Sequence, residues 1–267
     1  MLIYEINPLF YENLYKLSRI MDIHNMALAM QSPSNALLSL WSILELLLEK
    51  EKKDNDRSRI FNIIDLVIPY LTNSYIERIV KNLLLDLQRW DKKKTDAVLA
   101  EITVGESEIE KLFAFVALEQ YADKRGELYK ELEAFPLLRF RIFSLNEQFC
   151  TKKNLNHMLN EHEKKVKWHL QRIYRARNCI IHDGDDIMNI ENLVENLLSY
   201  VDIICERIIQ KIGGSGYKYT VSDAIVEENL QVRGYHKISE TLSKIDNKNF
   251  TIFLYHSAET MTLQEDL

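Results

Sequence analysis

Hydrophobic residues recur at helical spacing along most of the chain. Between positions 8 and 30, apolar residues follow one another at intervals of three or four, as at Leu14 and Leu17, which predicts an amphipathic helix. The clearest stripe of this kind runs from Ile190 to Ile212. The segment 35–50 is instead apolar on nearly every side, so we expect it at the centre of the fold.

Breaks in this pattern divide the rest of the chain. Charged or polar stretches predict loops at Glu51–Arg59 and Asp91–Ser107. Asp183–Gly184 is a turn signal, after which Asp185 or Asp186 is expected to cap the last long helix. The remaining helices are predicted at 60–71, 74–90, 107–134, 136–150 and 151–181.

The scarcity of helix breakers supports this helical pattern. The 267 residues include 7 Gly and 4 Pro, too few for the many turns of a sandwich, a barrel or a doubly wound sheet. With 46% hydrophobic residues the chain is not collagen-like, mucin-like or disordered. One proline, Pro69, falls within a predicted helix and is expected to end or kink it.

We therefore predict an all-α fold, a multi-helix bundle with a short appended C-terminal segment of mixed propensity. The predicted organisation is an N-terminal helical extension at 1–30, a helical domain at 31–212 and a tail or accessory segment at 213–267. Gly213–Gly214 is expected to end the helix before the tail. Within the tail, Phe250–Tyr255 fits either a strand or a short apolar helix.

Charge and cysteine usage indicate where the protein works. The formal net charge of −6 argues against a protein that coats nucleic acid with its whole surface. Cys150, Cys179 and Cys205 are an odd number of thiols in apolar runs, which favours buried thiols in a reducing compartment over disulfides. The N-terminus has no basic stretch before an apolar one, and no apolar run is long enough to span a bilayer. We expect a cytoplasmic protein without membrane association.

One segment departs from the acidic average. Between Lys164 and His182 the chain has no Asp or Glu. A solvated helix face balanced by acids on a neighbouring helix would explain such a run, and so would a local surface that binds the phosphates of RNA. The candidate phosphate-binding residues are Lys164, Lys165, Lys167, Arg172 and Arg175.

Arg177, Asn178 and His182 close this segment. Asn178 and His182 share a helix face, whereas Arg177 lies about 140° around the helix from His182. The turn signal after His182 predicts a fraying helix end that can bring the imidazole towards Arg177. A histidine there can exchange protons near neutral pH, which suits acid–base catalysis. The alternative is a histidine that caps the helix beside a surface arginine.

The other polar constellations are weaker. His162 and His169 share a helix face, but a metal site would need a further ligand and the lysines between them repel a cation. We expect a solvated face there and no bound metal. Trp41, Trp90 and Trp168 are predicted as core or interface anchors rather than as a platform for stacked bases.

The phrase RNCIIH at positions 177–182 resembles the Arg-(four to six residues)-His motif of the HEPN superfamily, which often begins with Arg-Asn. Its setting is similar to that in HEPN proteins of phage defence and abortive infection, where such a phrase closes one helix and a long apolar helix follows. Similar stretches are the apolar helix around Glu45, Val67–Leu87 and Pro136–Leu145. The resemblance covers about residues 30–212.

This resemblance implies a metal-independent endoribonuclease without a cofactor, a toxin or abortive-infection effector that acts as a homodimer with its two motifs facing across a cleft. RNA supplies its own nucleophile, the 2′-OH. His182 is then the general acid or base, Arg177 binds the scissile phosphate, and Asn178 orients the His or the phosphate. Glu45 is either a hydrogen-bond or salt-bridge partner of this site, or a packed acid satisfied by a helix end.

One position departs from the family pattern. HEPN toxins controlled by a partner nucleotidyltransferase usually carry Tyr two residues after the His, where this chain has Gly184, so that regulation is not expected. The expected partners are RNA, a second copy of the chain, and an antitoxin or sensor protein. The alternative function is a non-catalytic helical module that binds RNA, a nucleotide or a protein. A helical scaffold in which the motif is a structural cap is a third interpretation.

Overall fold

The computed structural model describes residues 8–47, 59–184, 187–216 and 218–256, and all regular structure in them is helical. The all-α prediction is confirmed. The helices are α1 (Pro8–Ala29), α2 (Pro33–Leu47), α3 (Arg59–Asn73), α4 (Tyr75–Ala100), α5 (Glu108–Ala117), α6 (Ala122–Glu131), α7 (Pro136–Phe149), α8 (Lys152–His182), α9 (Ile190–Gly214), α10 (Val221–Thr241) and α11 (Phe250–Tyr255), with a 3₁₀ turn at Glu119–Tyr121. The predicted loop at 51–59, apart from Arg59, and the predicted caps Asp185 and Asp186 lie outside the described residues.

The described residues form two compact units, each with its own apolar core. The first unit takes the residues up to Leu71 and Lys164–Leu230, and the second takes Thr72–Glu163 and the residues from Gln231 onward. Helices α3, α8 and α10 contribute residues to both units. This division differs from the segments predicted at 1–30, 31–212 and 213–267, because each unit combines stretches that are distant in the sequence.

Helix α2 lies at the centre of the first unit, as its all-round apolar pattern predicts. Helices α1 and α9 pack against it. Its fully buried side chains are Leu37, Leu40, Trp41, Ile43, Leu44 and Leu47. The later part of α8 joins the same core through Val166, Leu170, Ile173 and Ala176.

The second unit packs α4, α5, α7 and α11 around buried aromatic residues, among them Phe113, Phe149 and Phe253. Helix α5 begins at a capping box in which the Ser107 hydroxyl accepts from the Glu110 N–H and the Glu110 carboxylate accepts from the Ser107 N–H. This start agrees with the sequence prediction. Phe250–Tyr255, for which the sequence left strand and helix open, is helical.

Helix boundaries differ from the prediction at Pro69 and at Asp91. Pro69 does not end its helix, since α3 continues to Asn73. Asp91 breaks α4 with an extended backbone (φ −158°, ψ 104°), where the sequence predicted the start of a loop. The chain is helical again up to Ala100, because the Thr95 hydroxyl lies 2.9 Å from the Leu87 carbonyl and 2.7 Å from that of Asp91 and bridges the break.

The single helix predicted at 107–134 is divided at Leu118, which has an extended backbone. The Arg125 guanidinium lies buried beneath this break and donates to the carbonyls of Phe115 at 2.6 Å and Leu118 at 2.8 Å. A buried cation thus satisfies acceptors at the end of α5. Gly126 lies inside α6 and does not interrupt it.

The described residues that follow Gly214 belong to the folded units. Val221, Ala224 and Ile225 are buried in the core of the first unit. The Asn13 side chain fixes the start of α10 by donating to the Tyr219 carbonyl at 2.6 Å and accepting from the Val221 N–H at 3.0 Å. Helix α1 and the start of α10 therefore meet in the first unit.

Candidate functional site

The part of α8 in the first unit has one apolar and one basic face. Its apolar face is buried in the core, and the opposite face is exposed to solvent. The exposed residues include Lys164, Lys165, Arg172, Arg175 and His182, while Lys167 is half-buried. Within the described residues, Lys165, Arg172 and Arg175 form no ion pair. These three cations remain available for an external anion.

Arg177 points from α8 towards α2. Its Nη2 lies 3.8 Å from Glu45 Oε1, and its Nη1–H donates to Asn178 Oδ1 at 3.1 Å. Glu45 Oε1 also accepts from the Trp41 indole N–H at 3.1 Å. Of the two interpretations open for Glu45, the structure supports the salt-bridge partner of Arg177.

The ion pair between Arg177 and Glu45 is partly shielded from water. Their side chains are 23% and 19% exposed. Attraction between charges is stronger at such a place than at an open surface. A guanidinium has five N–H donors, so Arg177 retains donors for a phosphate after these two contacts. The arrangement fixes one cation without using its full hydrogen-bonding capacity.

Trp41 supports this arrangement from the core. It is buried, and its ring lies 5.6 Å from that of Tyr174 in a tilted arrangement. Tyr174 of α8 packs against the Trp41 ring, and the Trp41 indole N–H donates to Glu45. Trp41 therefore orients the carboxylate that pairs with Arg177.

His182 is the last residue of α8 and is exposed. The Asp183 N–H donates to the Cys179 carbonyl at 2.9 Å, so helical hydrogen bonding continues through His182. The backbone turns afterwards, at Gly184 with φ of 68°. The prediction of a frayed end at His182 is wrong, because the glycine absorbs the turn.

The continuous helix separates His182 from Arg177. Five residues of α-helix correspond to about 7.5 Å along the axis and about 140° around it. Asn178 shares the side of His182, but its Oδ1 accepts from Arg177. Within one chain the arginine and asparagine are brought together, and the histidine stands apart.

His162 and His169 belong to different units. The His162 ring stacks on Tyr75 with centroids 3.5 Å apart, and His169 Nδ1 shares a 3.0 Å hydrogen bond with the Tyr200 hydroxyl. The predicted solvated face is therefore wrong for both residues, which pack against tyrosines. Among the described residues there is no cluster of three or more His, Cys, Asp or Glu side chains that could hold a metal ion.

The three tryptophans occupy three different environments. Trp41 is buried in the core as predicted, and Trp90 is half-buried against Phe135. Trp168 is 75% exposed on the basic face of α8. Trp168 does not lie in the core, because its place on the helix coincides with that of the cations and not with the apolar stripe. The alternative for it, an interface anchor, stays a prediction.

The cysteines are free thiols in the structure. Cys205 is buried in the first unit, where desolvation and the nearby Asp202 raise the pKa of its thiol to about 12. Burial also raises the pKa of Cys150, and Glu147 adds to that effect. Both thiols are held in the protonated, unreactive form at neutral pH.

Sequence spacing did not reveal a polar cavity of about 220 Å³ in the second unit. Lys152, Asn156 and Asn160 line it from α8, and Tyr235, His236 and Ser239 line it from α10. The two sets are more than seventy residues apart in the chain, so no local motif connects them. The signal that remains in the sequence is a four-residue helical spacing within each set, in Lys152, Asn156 and Asn160 and from Tyr235 to Ser239.

Searches against protein-family models, curated proteins and solved structures found no match. In the described part of the chain, no helix combines the length and the apolar character needed to cross a membrane. The resemblance to the HEPN superfamily is therefore carried by the phrase at 177–182 and the residues around it.

Proposed function

We propose that this protein is a metal-independent endoribonuclease of HEPN type that acts as a homodimer, as a toxin or abortive-infection effector in antiphage defence. The observation that carries the proposal is the position of Arg177, a cation held by Glu45 and Asn178 at the end of α8. The exposed basic face of the same helix ends at His182. An oriented arginine, a basic track and a free imidazole are what phosphate-directed acid–base chemistry requires.

The proposed reaction uses the RNA as its own nucleophile. A base removes the proton of the 2′-OH, and the 2′-oxygen attacks the adjacent phosphorus. The bond from phosphorus to the 5′-oxygen breaks, and an acid gives that oxygen a proton. The products are a 2′,3′-cyclic phosphate and a 5′-OH. Arg177 binds the non-bridging phosphate oxygens, and His182 supplies acid or base.

The separation of Arg177 and His182 on α8 supports the homodimer in this proposal. Within one chain the two residues lie about 140° apart around α8, and a second copy related by a two-fold axis can bring its own His182 to the phosphate held by the first copy's Arg177, beside the first copy's His182. Two such histidines supply one base and one acid for the two proton transfers. Outside α8, this arrangement needs only Glu45, which pairs with Arg177, and Trp41, which donates to Glu45.

We expect Arg177→Ala and His182→Ala each to lower RNA cleavage by about 100-fold or more, because each removes a group that acts on the transition state. The measurement is cleavage of a labelled RNA by the purified full chain in EDTA, with the product ends mapped. His157→Ala is the matched control, since His157 is another exposed histidine of α8 that lies outside the proposed site. It should cleave like the unmodified protein.

Unchanged cleavage by His182→Ala protein, or strict dependence on a divalent metal, would overturn the proposal. The second candidate function, a non-catalytic module that binds RNA, is favoured by the divergence of Arg177 and His182 within one chain. That module would be supported if the unmodified protein and the Arg177→Ala and His182→Ala variants all bind RNA without cleaving it, with folding confirmed by circular dichroism.

A further inference from the structure

Trp168 is the most unusual residue of the basic face of α8. Tryptophan is normally largely buried, because its indole carries more apolar area than any other side chain. Here it is 75% exposed. No aromatic ring of the described residues stacks on it. An exposed indole of this kind has a whole ring face available to a ligand.

The neighbours of Trp168 on the helix surface are cations. Lys164 and Arg172 lie one turn before and one turn after it, and Lys165 lies three residues before it. No acidic residue occurs between Lys164 and His182. A protein partner would have to supply several acids to complement this surface, whereas a nucleic acid supplies a phosphate for each cation and a flat base for the indole.

Base stacking requires an unpaired strand. In an A-form duplex the bases are stacked on one another inside the helix and cannot lie on a protein side chain, while unpaired bases can be splayed onto an aromatic ring. An aromatic ring within a basic track is the usual composition of single-strand binding surfaces. The composition of this face therefore selects single-stranded RNA over duplex.

We propose that Trp168 is a stacking platform for an unpaired base, and that the face of α8 from Trp168 to His182 is a track for single-stranded RNA. The inference rests on the proposed function for its substrate and for the role of His182. Fourteen residues of helix place these side chains about 21 Å apart along the axis and within about 40° of the same side. The stacked base would therefore lie several nucleotides from the cleaved phosphate, so Trp168 selects and holds the substrate without touching the reacting atoms.

The experiment measures binding separately from cleavage. A fluorescein-labelled single-stranded oligonucleotide with 2′-O-methyl groups has no 2′-OH nucleophile, so its affinity can be measured with the full chain without turnover. We expect Trp168→Ala to weaken its binding about 10-fold or more, and Trp168→Phe to retain most of the affinity. A duplex of the same sequence should bind more weakly than the single strand and should be insensitive to either substitution.

Tyr15→Ala is the matched control, because Tyr15 is a similarly exposed aromatic residue (72%) on α1 of the same unit. Its affinity for the oligonucleotide should be unchanged. Since Trp168 is exposed, its replacement should leave the far-ultraviolet circular dichroism and the melting temperature as they are, and Trp168→Phe provides a second folded variant.

Equal affinity of Trp168→Ala and unmodified protein for the single strand would overturn the inference, and so would an equal loss for single strand and duplex. Its failure is distinct from failure of the proposed function. If the protein needs Trp168 for single-strand binding but cleaves no RNA, the stacking role of Trp168 stands and the proposed nuclease function fails. If cleavage requires His182 and neither binding nor cleavage depends on Trp168, the nuclease function stands and the stacking role of Trp168 fails.

Discussion

Arg177 depends on one acidic residue in an otherwise apolar helix. Glu45 is the acid of α2 that lies among buried leucines and isoleucines, where a carboxylate needs partners to offset its desolvation. It finds them in the Trp41 indole and the Arg177 guanidinium. The ion pair with Glu45 thus orients Arg177, the proposed phosphate-binding group. The Glu45 carboxylate in turn is stabilised by Arg177 and Trp41.

His169 shows how burial changes the protonation of a single residue. Desolvation lowers its pKa from the ordinary 6.5, and the positive charge of Arg172 adds to the effect. Its ring is held by the hydrogen bond to the Tyr200 hydroxyl of α9. The neutral form of His169 is therefore the one that suits the folded first unit.

We expect the protein to lose stability as the pH falls through about 6.5 and below, with His169 contributing to that loss. The unfolded chain takes up a proton on His169 near pH 6.5, whereas the folded chain resists protonation until a lower pH, so acid favours unfolding. The measurement is the thermal unfolding midpoint between pH 7.5 and 5.5 for unmodified protein and for His169→Gln. The variant should lose less over this interval, and parallel curves would contradict the assignment.

At the scale of elements, α8 contributes one face to the core of the first unit and presents the proposed RNA-binding residues on the other. Its 3.6-residue period places Val166, Leu170 and Ile173 in the core and leaves the intervening cations outside. Regular hydrogen bonding continues to its last residue, which keeps His182 on the exposed side. The continuation of α8 through His182 is thus the reason that we propose a second chain for the site.

The pairing of α9 with α10 depends on a buried acid. Glu228 is fully buried, and Arg207 approaches it with Nε donating to Oε1 at 3.0 Å and Nη2 donating to Oε2 at 3.2 Å. Lys211 Nζ lies 3.3 Å from the same carboxylate. Two cations of α9 therefore share one carboxylate of α10 within the first unit.

We expect Glu228→Ala to destabilise the first unit by about 3–5 kcal/mol, because it leaves two partly buried cations without their acid. Urea unfolding of the full chain, followed by circular dichroism, measures the effect. Glu227→Ala is the matched control, since Glu227 is the adjacent half-buried acid and forms no ion pair with any residue that the structure describes. Equal stability of the two variants would contradict a structural role for the segment that follows Gly214.

At the scale of the whole molecule, the proposed site residues are concentrated in one unit. Glu45 and the residues from Lys164 to His182 all belong to the first unit. The second unit has its own aromatic core and a polar cavity lined by α8 and α10. The proposed RNA chemistry and that cavity are thus assigned to separate units.

We expect the specific nuclease activity to fall on dilution, because the proposed site is completed by a second copy of the chain. Activity per chain, measured over a range of protein concentrations, should follow the fraction of dimer found by analytical ultracentrifugation. Full activity at concentrations where the chain sediments as a monomer would contradict the homodimeric site while leaving cleavage itself intact.

Much of the fold could be predicted because the information for it is local. The apolar period defines helices such as α9, and the Ser107–Glu110 capping box defines where α5 begins. Boundaries were missed where a distant or unusual contact decides the geometry. Thr95 bridges the break at Asp91, and the buried Arg125 stabilises the end of α5. Neither interaction has a signature in local spacing.

The sequence by itself determined the helical class, the central position of α2 and the acid-free basic run, because periodicity and composition are properties of neighbouring residues. Tertiary structure alone decided that Glu45 pairs with Arg177, that Trp168 is exposed, and that α10 contributes to the first core. It also decided that His182 stays on the helix apart from Arg177. The pairing of Glu45 with Arg177 and the packing of α10 into the first core depend on contacts between segments that are distant in the chain, and such energies are summed over the fold and not along the sequence.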